Sequence, residues 1–348
     1  MSKFDLNNLV RKNVLDLKPY ASARDEFKDF EAEMVFLDAN ENPFDNGVNR
    51  YPDPQQRSLK TILAEQKNVA EENILLGNGS DEVLDLIYRV FCDPGIDNII
   101  TLPPTYGMYN VLAETNDVDN RKVLLTEGFE PDTDEILARV DDQTKLLFIC
   151  SPNNPTGNSF EASKIETLLL KFEGIVVIDE AYIDFSNANS WLNRLHEFPN
   201  LIVTQTLSKA YGLAGIRLGI CYASKDIIDI LKKIKPPYNV NELTQNRAKQ
   251  RLSAQDRVTQ EVIKIIEERE TLLESLENIP FILKIYPTDA NFILVKVDDA
   301  NKRYDQLIAN GIVIRNRSSQ PLCENTLRFT VGNPEENKKL ITVLIELN

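Results

Sequence analysis

The chain has 348 residues, enough for two domains or one large domain with an appendage, and its 42% hydrophobic and 27% charged residues are those of an ordinary globular protein in water. Its 39 basic and 54 acidic side chains leave a formal net charge of −15, which argues against general nucleic-acid binding and against docking on anionic membranes, while leaving room for a local basic pocket. The opening residues Met1-Ser-Lys-Phe-Asp-Leu lack a basic segment followed by an apolar run, and no stretch approaches a membrane span, so the cytoplasm is the expected compartment.

Residues 1–45 read as an arm. Phe4, Leu6, Leu9 and Val10 form one apolar face of a short helix that Pro19-Tyr20 ends, and residues 35–37 read as a short strand entering the polar turn Asn40-Glu-Asn-Pro43. Arg50-Tyr-Pro-Asp-Pro54 follows, a proline-stiffened loop that exposes Tyr51. Helical periodicity covers residues 58–68. An apolar strand from Ile74 then meets Gly77-Asn-Gly79, with Ser80 or its neighbour as the helix N-cap and Asp81 and Glu82 in the first turn. Such a turn offers free N–H groups and a positive dipole end to a phosphate. A dinucleotide fingerprint is excluded, because Glu82 stands where the third glycine belongs.

The strand at Asn98-Ile-Ile-Thr101 stops at Pro103-Pro104 and exposes Tyr106 beyond its end. Further strands are expected at residues 122–125 and 145–151, the second continuously apolar as a central parallel strand should be. It runs into Ser151-Pro-Asn-Asn-Pro-Thr-Gly157, where Asn154 either satisfies local backbone or points at a ligand. Residues 160–173 read as a helix, and the following buried strand ends at Asp179, a carboxylate that needs a cation, a metal or a protonated ring nitrogen as partner. Tyr182 lies three residues on.

The strand Leu201-Ile-Val-Thr-Gln-Thr206 delivers Ser208 and Lys209 into a segment of small and apolar residues, with Arg217 eight positions later and a further strand at residues 217–223. A partly desolvated lysine loses its proton more readily, and a neutral amine can form a Schiff base with an aldehyde; read alone, the same segment also fits a surface lysine at a strand end. Strand alternating with helix between residues 70 and 235 predicts an α/β domain with a mainly parallel sheet flanked by helices, in which ligands gather at the carboxyl ends of strands. Beyond Lys235-Pro-Pro237 long helices over residues 241–277, strands at 282–286, 292–297 and 327–331 and helices near 301–310 and 334–346 predict a smaller α+β unit. The boundaries expected are 1–45 for an arm packed with the small domain, 46–240 for the large domain, and 241–348 for a connecting helix and the small domain. Arg315 and Arg317 share a face if their strand continues, and Arg328 sits in Leu-Arg-Phe-Thr-Val-Gly.

Four cysteines, Cys92, Cys150, Cys221 and Cys323, form no Cys-x-x-Cys pair and read as free thiols of a reducing compartment. There is no metal-ligand spacing, and the single histidine, His196, lies in a polar segment that suits no catalytic triad.

Lys209, Asp179 thirty residues earlier, a helix N-terminus with Arg217, and phenols with an amide together match the needs of pyridoxal phosphate. Asn40-Glu-Asn-Pro43, Arg50-Tyr-Pro-Asp-Pro54, Gly77-Asn-Gly-Ser-Asp-Glu82, Pro103-Pro-Thr-Tyr106, Ser151-Pro-Asn-Asn-Pro-Thr-Gly157, Asp179-Glu-Ala-Tyr182, Ser208-Lys-Ala-Tyr-Gly-Leu-Ala-Gly-Ile-Arg217 and Leu327-Arg-Phe-Thr-Val-Gly332 occur in one order across nearly the whole chain. In these pieces the chain resembles the fold-type I pyridoxal-phosphate transferases, and within them it is similar to the histidinol-phosphate aminotransferases. The loop after Arg315 is short and carries an extra arginine, Arg317.

The resemblance implies that Lys209 holds the cofactor aldehyde and then moves the proton, and that Asp179 keeps the ring nitrogen protonated. It implies that Asn154 and Tyr182 bind the ring 3-oxygen, that Tyr106 stacks on the ring, and that Ser80, Asp81, Ser208 and Arg217 grip the phosphate. Tyr51 is similar to a residue that reaches that phosphate from a neighbouring subunit, which implies a homodimer. Arg328 resembles the substrate-carboxylate or substrate-phosphate residue, with Arg315 and Tyr20 closing over the phosphate. The substrates implied are glutamate and imidazole-acetol phosphate, giving 2-oxoglutarate and histidinol phosphate. An aromatic-amino-acid aminotransferase or a threonine-phosphate decarboxylase would use the same cofactor pocket. A non-catalytic cofactor-binding regulator would need a DNA-binding segment, which neither the acidic charge nor the arm supplies.

Overall fold

The computed structural model describes residues 4–20, 24 and 34–347. The large domain is built on β1 (Ile74–Gly77), β2 (Asn98–Thr101), β3 (Asp119–Lys122), β4 (Thr144–Cys150), β5 (Ile175–Asp179), β6 (Leu201–Thr206) and β7 (Gly219–Ala223), in the spatial order β1-β7-β6-β5-β4-β2-β3. Only β7 runs against its neighbours; the other pairings from β6 outward are parallel. The apolar runs Leu146–Cys150 in β4, Ile175–Ile178 in β5 and Leu201–Val203 in β6 follow from burial on both faces. Leu146, Phe148 and Cys150 face one core, which includes Tyr88 and Tyr109, while Leu147 and Ile149 face the other.

The helices of this domain include α1 (Leu6–Leu9), α2 (Lys12–Leu15), α3 (Arg57–Lys67), α4 (Ser80–Phe91), α5 (Met108–Thr115), α6 (Thr133–Ala138), α7 (Ala162–Lys171) and α8 (Lys225–Ile234). The arm corrects one expectation. Val10 and Val14 are buried in the same core as Ile227, Ile228 and Leu231 of α8, Arg11 Nε donates to Asp93 at 2.9 Å, and Lys233 Nζ donates to the carbonyl of Leu15 at 2.7 Å. Residues 4–17 thus pack on the large domain rather than on the small one, because their apolar side chains and free carbonyls meet α8.

Three local expectations also shift. No strand forms at residues 35–37, where Val35 and Leu37 are exposed and unpaired with any sheet. β3 lies at Asp119–Lys122, ahead of residues 122–125, because the parallel register with β2 pairs Asn98 with Asp119. β7 starts at Gly219, since Arg217 takes a left-handed conformation with φ 54° after a 3₁₀ turn.

α9 (Glu242–Leu252) and α10 (Gln255–Leu276) lead into the small domain, in which β8 (Ile282–Ile285), β9 (Phe292–Val297), β10 (Arg315–Asn316) and β11 (Thr326–Thr330) form an antiparallel sheet of order β10-β11-β9-β8. With α10, α11 (Ala300–Ala309) and α12 (Pro334–Glu346) it encloses its own core around Leu276, Ile293, Leu307, Phe329 and Leu344. α12 begins with a reciprocal capping box between Asn333 and Glu336. The two domains meet at the turn after β4: Asp289 donates its N–H to the Gly157 carbonyl at 2.8 Å and accepts from Ser159 N at 3.0 Å. That contact sets β11 beside Asn154.

Candidate active site

Parallel register brings the carboxyl ends of the central strands together. Cys150 pairs with Asp179 and Asp179 with Thr204, so β4, β5 and β6 release their chain at one level. The antiparallel return of β7 closes the opposite side. Its first residue, Gly219, pairs with Gly77 of β1, so Arg217 just ahead of it arrives beside the turn that starts α4.

That turn has a specific shape. Gly79, at φ 84°, is the N-cap of α4 and supplies no side-chain hydrogen bond, so Ser80 is the first helical residue rather than the cap. The first-turn N–H groups of a twelve-residue helix are therefore left for an outside acceptor. A Cβ on Gly79 would lie 2.7 Å from Arg217 Nη2, and one on Gly219 would lie 2.2 Å from Ser80 N. Glu82 holds the turn by accepting from Asn78 N at 2.5 Å and from Asn239 Nδ2 at 2.7 Å. Gly219→Ala is expected to force α4 away from β7, costing about 1–3 kcal/mol of stability and weakening anion binding at Ser80. Thermal unfolding and phosphate titration check this; a variant matching the parent in both contradicts it.

One cavity is lined by Ser80, Asp81, Tyr106, Asn154, Asp179, Tyr182, Ser208, Lys209 and Arg217, together with Cys150, Ala181 and Thr206. The first nine are all residues singled out in the sequence. Tyr106 donates its hydroxyl to Asp81 at 3.1 Å, and Arg217 Nη2 meets the other oxygen of Asp81 at 3.3 Å. Asn154 Nδ2 donates to Tyr182 at 3.5 Å, and Lys209 Nζ sits 5.6 Å from the centre of the Tyr182 ring. Lys209 stands open to solvent at the cavity mouth rather than buried in its wall. Even so, loss of surrounding water and the charges of Arg328 and Arg217 hold its ammonium below the ordinary lysine pKa, against the opposing pull of Asp179 and Asp81.

Asp179 is the buried anchor, 3% exposed, with its pKa pushed up to about 6. Burial is the main cause; the Tyr109 hydroxyl at 2.9 Å and the Ala181 N–H at 3.2 Å stabilise the carboxylate and limit the rise. Tyr109 was not among the residues singled out. Its ring stacks on Phe148 at 5.0 Å and meets Tyr106 edge-on at 5.5 Å, so one buried phenol supports both Asp179 and the exposed-edge tyrosine. The i, i+3 spacing from Tyr106 along the start of α5 was the available signal.

Tyr109→Phe removes only that donor and should raise the Asp179 pKa further. An ionised Asp179 is the partner a protonated ring nitrogen needs. The acid limb of cofactor capture by the apoprotein should therefore move upward by about 1 pH unit, the worth of a hydrogen bond to a charged group. A limb that stays in place or moves down contradicts the assignment.

Three of the singled-out residues lie elsewhere. Tyr51 is half exposed and stacks on Tyr238 at 4.5 Å, held by its N–H to Glu41 at 2.6 Å. Glu41 also accepts from Arg24 at 2.8 Å and Arg50 at 2.7 Å, which locks the Asn40-Glu-Asn-Pro43 turn to the Arg50-Tyr-Pro loop. Tyr20 is 76% exposed. Arg315 is exposed on β10, whereas Arg317 and Arg328 both turn toward Asn154.

The aminotransferase class I and II family profile matches residues 21–344. A histidinol-phosphate aminotransferase of Flavobacterium johnsoniae is 65% identical over the full length of both chains. The chain belongs to the histidinol-phosphate aminotransferase family. Among solved structures, the histidinol-phosphate aminotransferase of Clostridium acetobutylicum is 26% identical with a TM-score of 0.80, covering 86% of this chain and 91% of that one. The enzyme of Sinorhizobium meliloti, solved in complex with pyridoxal-5'-phosphate, shares the fold at 24% identity and a TM-score of 0.78, covering 86% of this chain and 84% of that one.

Class I and II aminotransferases depend on pyridoxal phosphate. The residues of this aminotransferase fit that cofactor on three observations. A buried carboxylate with no ion pair among the described residues suits a protonated ring nitrogen, an uncapped helix start beside Arg217 suits a phosphate, and Lys209 opens into the same cavity.

Proposed function

We propose that this enzyme transfers the amino group of glutamate to imidazole-acetol phosphate, releasing 2-oxoglutarate and histidinol phosphate, a step of histidine biosynthesis. The observation that carries the reading is the single cavity holding Lys209, Asp179 and the start of α4. The substrate pair rests on full-length relatives named histidinol-phosphate aminotransferase, three of which are 62–65% identical. When bound, pyridoxal phosphate supplies an aldehyde carbon that takes the amino group and a ring that accepts the electron pair left at Cα.

The chain's own groups do the rest. Lys209 Nζ, with its lowered pKa, would take the proton from the donor's Cα and hold it for return within the cavity. Asp179 would keep the ring nitrogen of the bound cofactor protonated, Asn154 and Tyr182 would hold its ring oxygen, and Tyr106 would cover the ring. Ser80 and Asp81 at the start of α4, with Ser208 and Arg217, would hold the phosphate, Asp81 through its backbone and by orienting Arg217, and Arg328 would hold the substrate's anionic group.

A homodimer is part of the same reading. Tyr51 does not line the cavity of its own chain, and it lies in a stretch whose Val35, Leu37, Phe44 and Val48 are exposed, so a second copy is the natural cover and the route by which Tyr51 reaches a cofactor phosphate. Cytoplasmic location is supported by four free, buried thiols.

Substrate profiling of the purified enzyme tests the proposal. Histidinol phosphate should exceed phenylalanine as amino donor in kcat/KM. A preference for phenylalanine would place it with the aromatic enzymes, and carbon dioxide release from threonine phosphate with the decarboxylases.

A further inference from the structure

The loop that leaves β10 concentrates unmet polar groups at the edge of the cavity. Among the described residues, Arg317 Nε, Ser318 Oγ, Gln320 Oε1 and Arg328 Nε are buried atoms without a hydrogen-bond partner. Gln320 lines a separate cavity beside Pro103 and Pro104, but Arg317 and Arg328 both reach Asn154, and buried polar groups are normally paired, so the two unmet guanidinium N–H groups point to a missing acceptor. The Arg317 N–H donates to the Thr326 carbonyl at 2.9 Å, which extends the β10–β11 ladder by one residue. Because Arg315 lies opposite Arg328 and strand side chains alternate, Arg317 shares the face of both.

Charge on this face is unbalanced. Arg317 Nη2 lies 3.4 Å from Asn154 Oδ1, and Arg328 Nη1 hydrogen-bonds the same oxygen. One neutral carbonyl thus receives two cations. Burial, then the neighbouring arginines, pull Arg328 down to about 10, which leaves it charged at neutral pH, and lower Arg317. The stack of the Arg328 guanidinium on Phe292, 4.9 Å from the ring centre, fixes its plane. A single carboxylate would leave one of these charges over, whereas a phosphate monoester carries nearly two at neutral pH and offers three acceptor oxygens.

We propose that Arg317 is the specificity residue for a phosphorylated substrate, sharing a phosphate monoester with Arg328, with Ser318 Oγ as a further donor. This rests on the proposed phosphate-bearing substrate and adds the residue that selects it.

The test compares histidinol phosphate with histidinol, the same amino alcohol without the phosphate, as ligands of the holoenzyme. In Arg317→Gln the dissociation constant for histidinol phosphate should rise about tenfold or more, the worth of one charge-assisted contact, while that for histidinol changes less than about twofold. Arg317→Lys should recover part of the loss. Cofactor absorbance and thermal midpoint of Arg317→Gln should match the parent, which separates selection from misfolding. If both ligands weaken together, or neither does while the parent prefers the phosphate, the role of Arg317 is wrong. If the parent itself does not prefer histidinol phosphate, the substrate reading beneath it fails instead.

Discussion

Lys209→Ala should lower turnover by about four orders of magnitude or more, the combined worth of a nucleophilic amine and a positioned base. The argument is one of position. Lys209 is delivered by the strand end of β6, stands at the mouth of the cavity, and faces Tyr182 with Asp179 behind it. Among the described residues no other lysine lines that cavity to take over either role. The variant should still bind the cofactor, since Ser80, Arg217 and Asp179 are untouched, but without the visible absorbance of a lysine-bound form. Spectra and single-turnover rates with glutamate read both effects. Substantial retained turnover would remove Lys209 from the chemistry.

Asp179→Asn should reduce turnover by about 10²–10³-fold, the usual cost of losing one well-placed electrostatic group. Asparagine keeps an acceptor for the Tyr109 hydroxyl but cannot hold a ring nitrogen protonated, so geometry is separated from charge. Stability should move in the other direction. The folded pKa of about 6 lies above the ordinary aspartate value near 4, so folding opposes ionisation of Asp179. Below both values the group is protonated in both states and contributes nothing. As pH rises through this window the cost grows to roughly 2–3 kcal/mol and stays. The apoprotein with asparagine should therefore lose that pH dependence and be at least as stable as the parent above pH 6. Acid-to-neutral thermal unfolding of the two apoproteins measures it; equal slopes would contradict a buried, reluctant carboxylate.

Much of this site could be read from sequence because its parts sit where strands end. Continuous apolar runs announced β4, β5 and β6, and a polar residue directly after such a run has to face the carboxyl edge of the sheet. Asp179 is of this kind, and Asn154 and Lys209 lie in the turns that follow β4 and β6. Tyr109 escaped because it lies inside an apolar helix, where a phenol looks like core until its hydroxyl is placed against Asp179. Arg315 and Arg317 could not be ranked, because alternation puts both on one face and only packing against Asn154 separates them. The apolar residues at 35–37 read as a strand since the exposure of Val35 and Leu37 depends on tertiary structure that periodicity does not encode. Residues 4–17 of the arm pack on α8 instead of the small domain for the same reason: Val10 and Val14 need an apolar partner, and the sequence does not say that α8 supplies it.

The most direct test mixes the purified, cofactor-loaded enzyme with glutamate and imidazole-acetol phosphate and follows 2-oxoglutarate. The account predicts stoichiometric 2-oxoglutarate and histidinol phosphate, with continuous turnover only when both substrates are present, and none in Lys209→Ala. Cofactor-loaded protein that releases no 2-oxoglutarate from glutamate, or that turns over equally without Lys209, would contradict it.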